Sequence, residues 1–138
     1  MEITELPFNS FIGIERSTKD GFILALPDDK KYTNHLRTVH ASALVALAEA
    51  TSGECLVELS KRFSFDVIPL VRRLETKFRK PANGGIHSKY RIEDGKEEEF
   101  LNQLQNKGRS ILPIQVEVYD ESGTLSLNAV VDWFVSKK

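Results

Sequence analysis

Residues 41–50 read A-S-A-L-V-A-L-A-E-A, and how this stretch is buried decides the fold. Ala and Leu are the strongest helix formers. The apolar character does not keep to one stripe, because only Ser42 and Glu49 break it. A helix that is apolar all round is buried all round. The helix is expected to run on through Leu56, Val57 and Leu59 and to end near Arg62. Gly53 either costs it about 1 kcal/mol relative to alanine or marks a close packing contact. In a chain of 138 residues, curling a sheet round such a helix is the economical way to bury it.

The flanking segments supply that sheet. Residues 10–19 and 21–27 are short mixed-apolar runs joined at Asp20-Gly21, a hairpin signal. Residues 28–39 form a polar loop. Residues 66–80 form a long candidate strand, closed by P-A-N-G-G at 81–85, and 86–93 form the next, closed by Asp94-Gly95. Residues 96–107 place Phe100, Leu101 and Leu104 on one helical face. Glu97, Glu98 and Glu99 stand in the first turn, where the helix dipole favours acids, and Gly108 follows as a C-cap. In 109–119 and 124–135 apolar and polar residues alternate on either side of a D-E-S-G turn. The expectation is one α+β domain over residues 1–138, an antiparallel sheet of about six strands wrapped round a central long helix, with a small inserted helix.

Composition narrows the function. A net charge of -1 gives no ground for binding nucleic acid or an anionic membrane. No apolar run reaches the roughly 20 residues of a membrane helix. The N-terminus, with Glu2 and Glu5, has no basic region followed by an apolar one, so a signal peptide is not expected. The single cysteine, Cys55, excludes an internal disulfide and a multi-cysteine metal site, and it fits a reducing cytoplasm. Cys55 reads as a small buried hydrophobe. His35, His40 and His87 lack metal-ligand spacing, so no metal is expected.

The segment N-H-L-R-T-V-H-A-S-A-L-V-A-L-A-E, Asn34 to Glu49, resembles the signature of hotdog thioesterases of the phenylacetate-degradation type. That signature has Asn or Gln, then His followed by two small residues, then an apolar stretch ending in Asp or Glu. Here His40 precedes Glu49 by nine residues and Asn34 precedes it by fifteen, as in the family. The upstream F-I-G-I-E and D-G-F-I-L-A-L-P, and K-P-A-N-G-G at 80–85, resemble its first hairpin and the turn after its third strand. The helix at 96–107 resembles that of an uncharacterised, DUF4442-like branch. Two departures stand out. Ala41-Ser42 replaces the common Gly-Gly, and Gly53 and Val71 stand where many members carry Ser or Thr.

The resemblance implies a hotdog fold and hydrolysis of acyl-CoA to a carboxylic acid and coenzyme A, with no cofactor beyond the coenzyme A of the substrate. Glu49 would be base or nucleophile. The Ala41 N–H, at the start of the helix, would hydrogen-bond the developing oxyanion. Asn34 and His40 would position substrate or water. Ala41 and Glu49 are eight residues apart, roughly 12 Å along a helix, so one chain cannot bring both to one carbonyl. Two antiparallel helices across a two-fold axis could, and hotdog thioesterases build each site from two chains. A homodimer or tetramer is therefore expected. Arg73, Lys77 and Arg79 share one strand face, with Glu75 among them, and could meet the coenzyme A phosphates. Read without the resemblance, Glu49 is equally a structural acid with a basic partner or a functional group, His40 a helix-start residue or a satisfied polar group, Asn34 a turn residue and the cations a solvated face. The alternative function is a non-catalytic hotdog that binds acyl-CoA or acyl carrier protein, and a weaker one is an acyl-CoA hydratase.

Overall fold

Residues 41–60 form one uninterrupted helix, α2 (Ala41–Ser60), in a computed structural model that describes residues 1–138. Leu47, Ala48, Thr51, Ser52 and Cys55 on it are almost wholly buried. Gly53 marks a close packing contact: a Cβ there would lie 3.2 Å from Ile3 Cδ1 and 3.8 Å from Trp133 Cζ2.

Six antiparallel strands form the sheet: β1 (Glu15–Arg16), β2 (Leu24–Leu26), β3 (Val67–Phe78), β4 (Ile86–Arg91), β5 (Arg109–Asp120) and β6 (Leu125–Lys137). Their spatial order is β1-β2-β4-β5-β6-β3. Helix α2 packs chiefly on β5 and β4, and less on β2 and β6. The sheet curls round it, which is the hotdog arrangement. Ile114, Val116 and Val118 of β5 and Val131, Trp133 and Val135 of β6 face the helix and are buried, as the period-2 pattern requires. Helix α3 (Lys96–Lys107) lies against β5, burying Phe100 and Leu104, and Gly108 caps it with φ 77°.

Strand β3 pairs only with β6, so its other edge is free. Pairing of Val71 with Trp133 and of Leu74 with Val131 places Val71 and Leu74 on the helix side. Arg73, Glu75 and Lys77 pair with Asp132, Val130 and Asn128 and face outward. The frame shifts at a bulge between Val71 and Arg73, and Arg72 lies over the outward Phe134 ring, 4.3 Å from its centroid.

The N-terminus corrects the sequence reading. The strand expected from residue 10 is replaced in part by a short helix, α1 (Pro7–Ile12), and β1 holds only two residues. Pro7 starts α1 and Gly13 ends it with φ 86°. Any Cβ at Gly13 would collide with the Tyr32 hydroxyl at 2.6 Å. The hairpin itself is present, since Glu15 pairs with Ala25 and Arg16 with Leu24. Arg16 bridges the half-buried Glu2 and the buried Glu54 of α2 (2.7 Å to the latter), and so ties the N-terminal segment to the central helix.

Candidate active site

The loop before α2 is built by Asn34. Its Oδ1 accepts from the backbone N–H of Leu36 (2.8 Å) and Thr38 (3.2 Å), and its Nδ2 donates to Thr38 Oγ1 (3.0 Å). These bonds hold Arg37 in the left-handed region, φ 63°. The Asn34 side chain is thus committed to the loop, and what it fixes is the approach to His40.

His40 is the N-cap of α2. Its Nδ1 accepts from the Ser42 N–H at 2.9 Å, so in the neutral ring the proton sits on Nε2. The residue is exposed, which leaves Nε2–H free to donate. The Ala41 N–H, first in the helix, has no partner within the chain, and with the dipole behind it this is a ready donor to a developing anion.

Glu49 lies two turns further along α2. Its carboxyl makes no ion pair or hydrogen bond within the chain, and burial raises its pKa above the ordinary glutamate value. It borders a cavity of about 880 Å³ lined by the middle of α2, the N-terminal segment, the start of β3 and Trp133 and Val135 of β6. No hydroxyl reaches the carboxylate. The neighbouring Ser52 Oγ donates to the Glu49 backbone carbonyl (2.7 Å) and accepts from Trp133 Nε1 (2.8 Å). Thr51 is turned into the core toward Ser88. A half-buried, unpartnered acid in an apolar cavity carries the marks of a functional group.

Of the residues singled out from sequence, Asn34, His40 and Ala41 come together at one end of α2. Glu49 stands roughly 12 Å away on the same helix. Arg73, Lys77 and Arg79 do share one face, the outer one: Arg73 pairs with Glu75 at 2.8 Å and Arg79 donates to Asn128 Oδ1 at 2.6 Å. They border no part of the Glu49 cavity. Lys77 joins Lys89 and Arg91 along a shallow outer groove. The latter two were missed, although their spacing on β4 places them on that face. Trp133, Val57, Phe63 and Phe65 were also missed as cavity walls. For Val57 the signal was its helical spacing from Glu49. Cys55 is buried and its thiol is pushed up to about 12, by burial first and the charge of Glu97 second, so it is no thiolate nucleophile. No three His, Cys, Asp or Glu side chains gather as metal ligands would. No helix is long and apolar enough to cross a membrane.

The profile of a family described as "Domain of unknown function (DUF4442)" matches residues 12–135. The chain belongs to the DUF4442 family. No curated protein matches it in sequence. Among solved structures, this DUF4442 protein is similar to a Pseudomonas aeruginosa protein of unknown function described as a probable thioesterase, with TM-score 0.78 and 22% identity over 99% of this chain and 91% of that one. A Bacillus halodurans protein crystallised with CoA gives TM-score 0.62 and 17% identity over 81% and 69% of the two chains. A Staphylococcus aureus thioesterase variant gives TM-score 0.67 and 15% identity over 94% and 98%. That protein was crystallised with a glutamine replaced by alanine and, separately, with a glutamate fifteen positions later replaced by alanine. At these identities the likeness establishes the shared fold.

Proposed function

We propose that this protein is an acyl-CoA thioesterase whose catalytic carboxylate is Glu49. The observation that carries the reading is Glu49 itself, an acid without a partner that is half-buried in an apolar cavity, with its pKa raised by burial. Its distance of fifteen residues from Asn34 equals that between the glutamine and glutamate altered in the Staphylococcus aureus thioesterase. The Bacillus halodurans structure with CoA supports the substrate class.

The carboxylate takes a proton from water as the oxygen attacks the thioester carbonyl. The tetrahedral oxyanion accepts from an Ala41 N–H. Collapse breaks the C–S bond, and the proton on Glu49 passes to the departing thiolate. Alternatively Glu49 attacks the carbonyl carbon directly and the C–S bond breaks, so the coenzyme A thiolate leaves and is protonated from water; water then cleaves the mixed anhydride to the free acid and the Glu49 carboxylate. In either case the Ala41 donor belongs to the partner subunit, because roughly 12 Å separates the two groups in one chain.

The free edge of β3 supports the dimer. It is twelve residues long and leaves Leu70, Val71, Leu74 and Phe78 exposed, a template for pairing with another strand. Antiparallel pairing with a second β3 covers it and sets two α2 helices side by side. The outer face then carries exposed Ile68, Leu70 and Ile111 beside Arg73, Lys77 and Arg79. Two dimers packed on that face would bury these apolar residues, and in such a tetramer the cations would be the groups offered to the phosphates of coenzyme A bound to the facing dimer.

A binding module without turnover is the second reading, favoured by the lack of a hydroxyl on Glu49 and the commitment of the Asn34 amide to its loop. The test is coenzyme A release from short, medium, long and aromatic acyl-CoAs by the parent and by Glu49→Gln. The thioesterase reading expects the variant to fold and to lose on the order of 10²–10⁴ in kcat. Binding without turnover by the parent identifies the binding module, and activity untouched by the substitution refutes the site.

A further inference from the structure

We propose that the cavity beside Glu49 is a chamber for a straight acyl chain on the order of fourteen carbons long, running down α2 from Glu49 to Ser60. The proposal rests on the reading that the thioester carbonyl sits at Glu49, and it adds the class of acyl group. The α2 residues that border the cavity are 49, 50, 53, 56, 57 and 60, one face at helical spacing. From Glu49 to Ser60 the helix rises roughly 16 Å. An extended chain advances about 3.3–3.6 Å per three bonds, which gives the length stated.

The walls are built to be apolar. Gly53 lowers the floor midway, where a Cβ would crowd Ile3 and Trp133. The polar atoms on the way are turned aside. Trp133 Nε1 donates to Ser52 Oγ, Asn9 Nδ2 donates to the Ile3 carbonyl at 3.0 Å, and Ser60 Oγ donates to the Val57 carbonyl at 2.7 Å. Phe63 and Phe65 stack at the far end, centroids 5.6 Å apart and planes 9° apart. Ile3, Leu6 and Phe8 border it from the N-terminal segment. Glu49 thus stands unpartnered at one end of a channel of about 880 Å³ that is apolar along α2, while Ser64, Asp66 and Lys138 mark the opposite end, beside Phe63 and Phe65. An acetyl or a single aromatic acyl group would leave most of that volume unfilled.

The test is equilibrium binding of acetyl-, hexanoyl-, decanoyl-, dodecanoyl- and palmitoyl-CoA to the oligomer carrying Glu49→Gln, where no turnover intervenes. Each added methylene is expected to tighten binding by about 4-fold until the chamber is full. Val57→Trp, added to that variant, should halt the rise at a shorter chain. Phe65→Ala should move the halt to a longer one, and serves if the tryptophan variant fails to fold. An affinity independent of chain length would overturn the proposal, the partner subunit then filling the cavity. So would halting points unmoved by both folded variants. The chain-length rise together with no hydrolysis by the parent would leave the chamber standing and remove the thioesterase reading; hydrolysis with a flat affinity would do the reverse.

Discussion

Glu49 places a charge where the surroundings favour its absence. Burial raises its pKa above the ordinary 4.5, with two consequences of opposite use. Water activation needs the carboxylate, so kcat/KM should fall as pH drops through this raised pKa, with its acid limb above pH 4.5; a limb at or below that value would contradict the role. For stability, the unfolded chain ionises first. As pH rises past 4.5 the unfolded state has lost the proton that the folded state still holds, so stability declines through that window. Glu49→Gln removes the effect. Its melting temperature should exceed the parent's at neutral pH, and the gap should close at acid pH. An inactive variant that is also less stable at neutral pH would mean Glu49 is a structural acid with a partner. His40 and Asn34 act one step back. One caps α2 and the other fixes the loop that delivers the cap, which is why the spacing found both while the hydrogen bonds alone reveal what each holds.

The elements differ in how plainly they could be read. Helix α2 was legible from the helix formers of Ala41 to Ala50, but the burial expected on every side is met only by Leu44, Leu47, Ala48 and Ala50; Ala41 and Ser42 are exposed and Ala43, Val45 and Ala46 half-buried, because the sheet covers one side of this stretch. Buried and more open residues alternate along all of β5 and along β6 from Leu127 to Val135, and α3 had acids in its first turn and Gly108 at its end. Helix α1 was misread as strand although Pro7 at its start and Gly13 at its end are the standard asymmetry of a helix; six residues are too few for periodicity to show. No local pattern revealed the bridge from Arg16 to Glu54, since it joins a strand to a helix turn far along the chain. It carries a prediction at this scale. Arg16→Met leaves the buried Glu54 carboxylate without its cation, and should cost roughly 1–3 kcal/mol in denaturant unfolding. Arg16 is half-exposed, which keeps the figure below that of a fully enclosed pair. A cost near zero would mean water already serves Glu54.

For the whole molecule, one second chain would both cover the exposed edge of β3 and bring an Ala41 to Glu49, as the proposed site needs. The proposed dimer should dissociate when Val71 and Leu74 are both replaced by Asp, read by sedimentation, and the proposed thioesterase activity should disappear with Glu49 still in place. A monomer with full activity would refute a shared site. The period-2 pattern of β3 correctly grouped Arg73, Lys77 and Arg79, but grouping does not say which side of the sheet faces the helix. That depends on the pairing of β3 with β6 and on the bulge after Val71, neither of which leaves a trace in a single strand's sequence.

The most direct test of a site shared between subunits is complementation between two inactive variants. Ala41→Pro deletes the proposed oxyanion donor at the first helical position, where proline is well tolerated, and His40 is already extended at φ −62°, ψ 139°, as a residue before proline prefers. Alone it should lose on the order of 10²–10³ in kcat. Unfolded together with Glu49→Gln and refolded as a mixture, half the dimers carry one of each chain, and each such dimer rebuilds one intact site. The mixture should recover about a quarter of the parent activity. Activity that stays at the level of the separate variants, in a mixture shown to contain mixed dimers, would place both groups in one chain's site and contradict it.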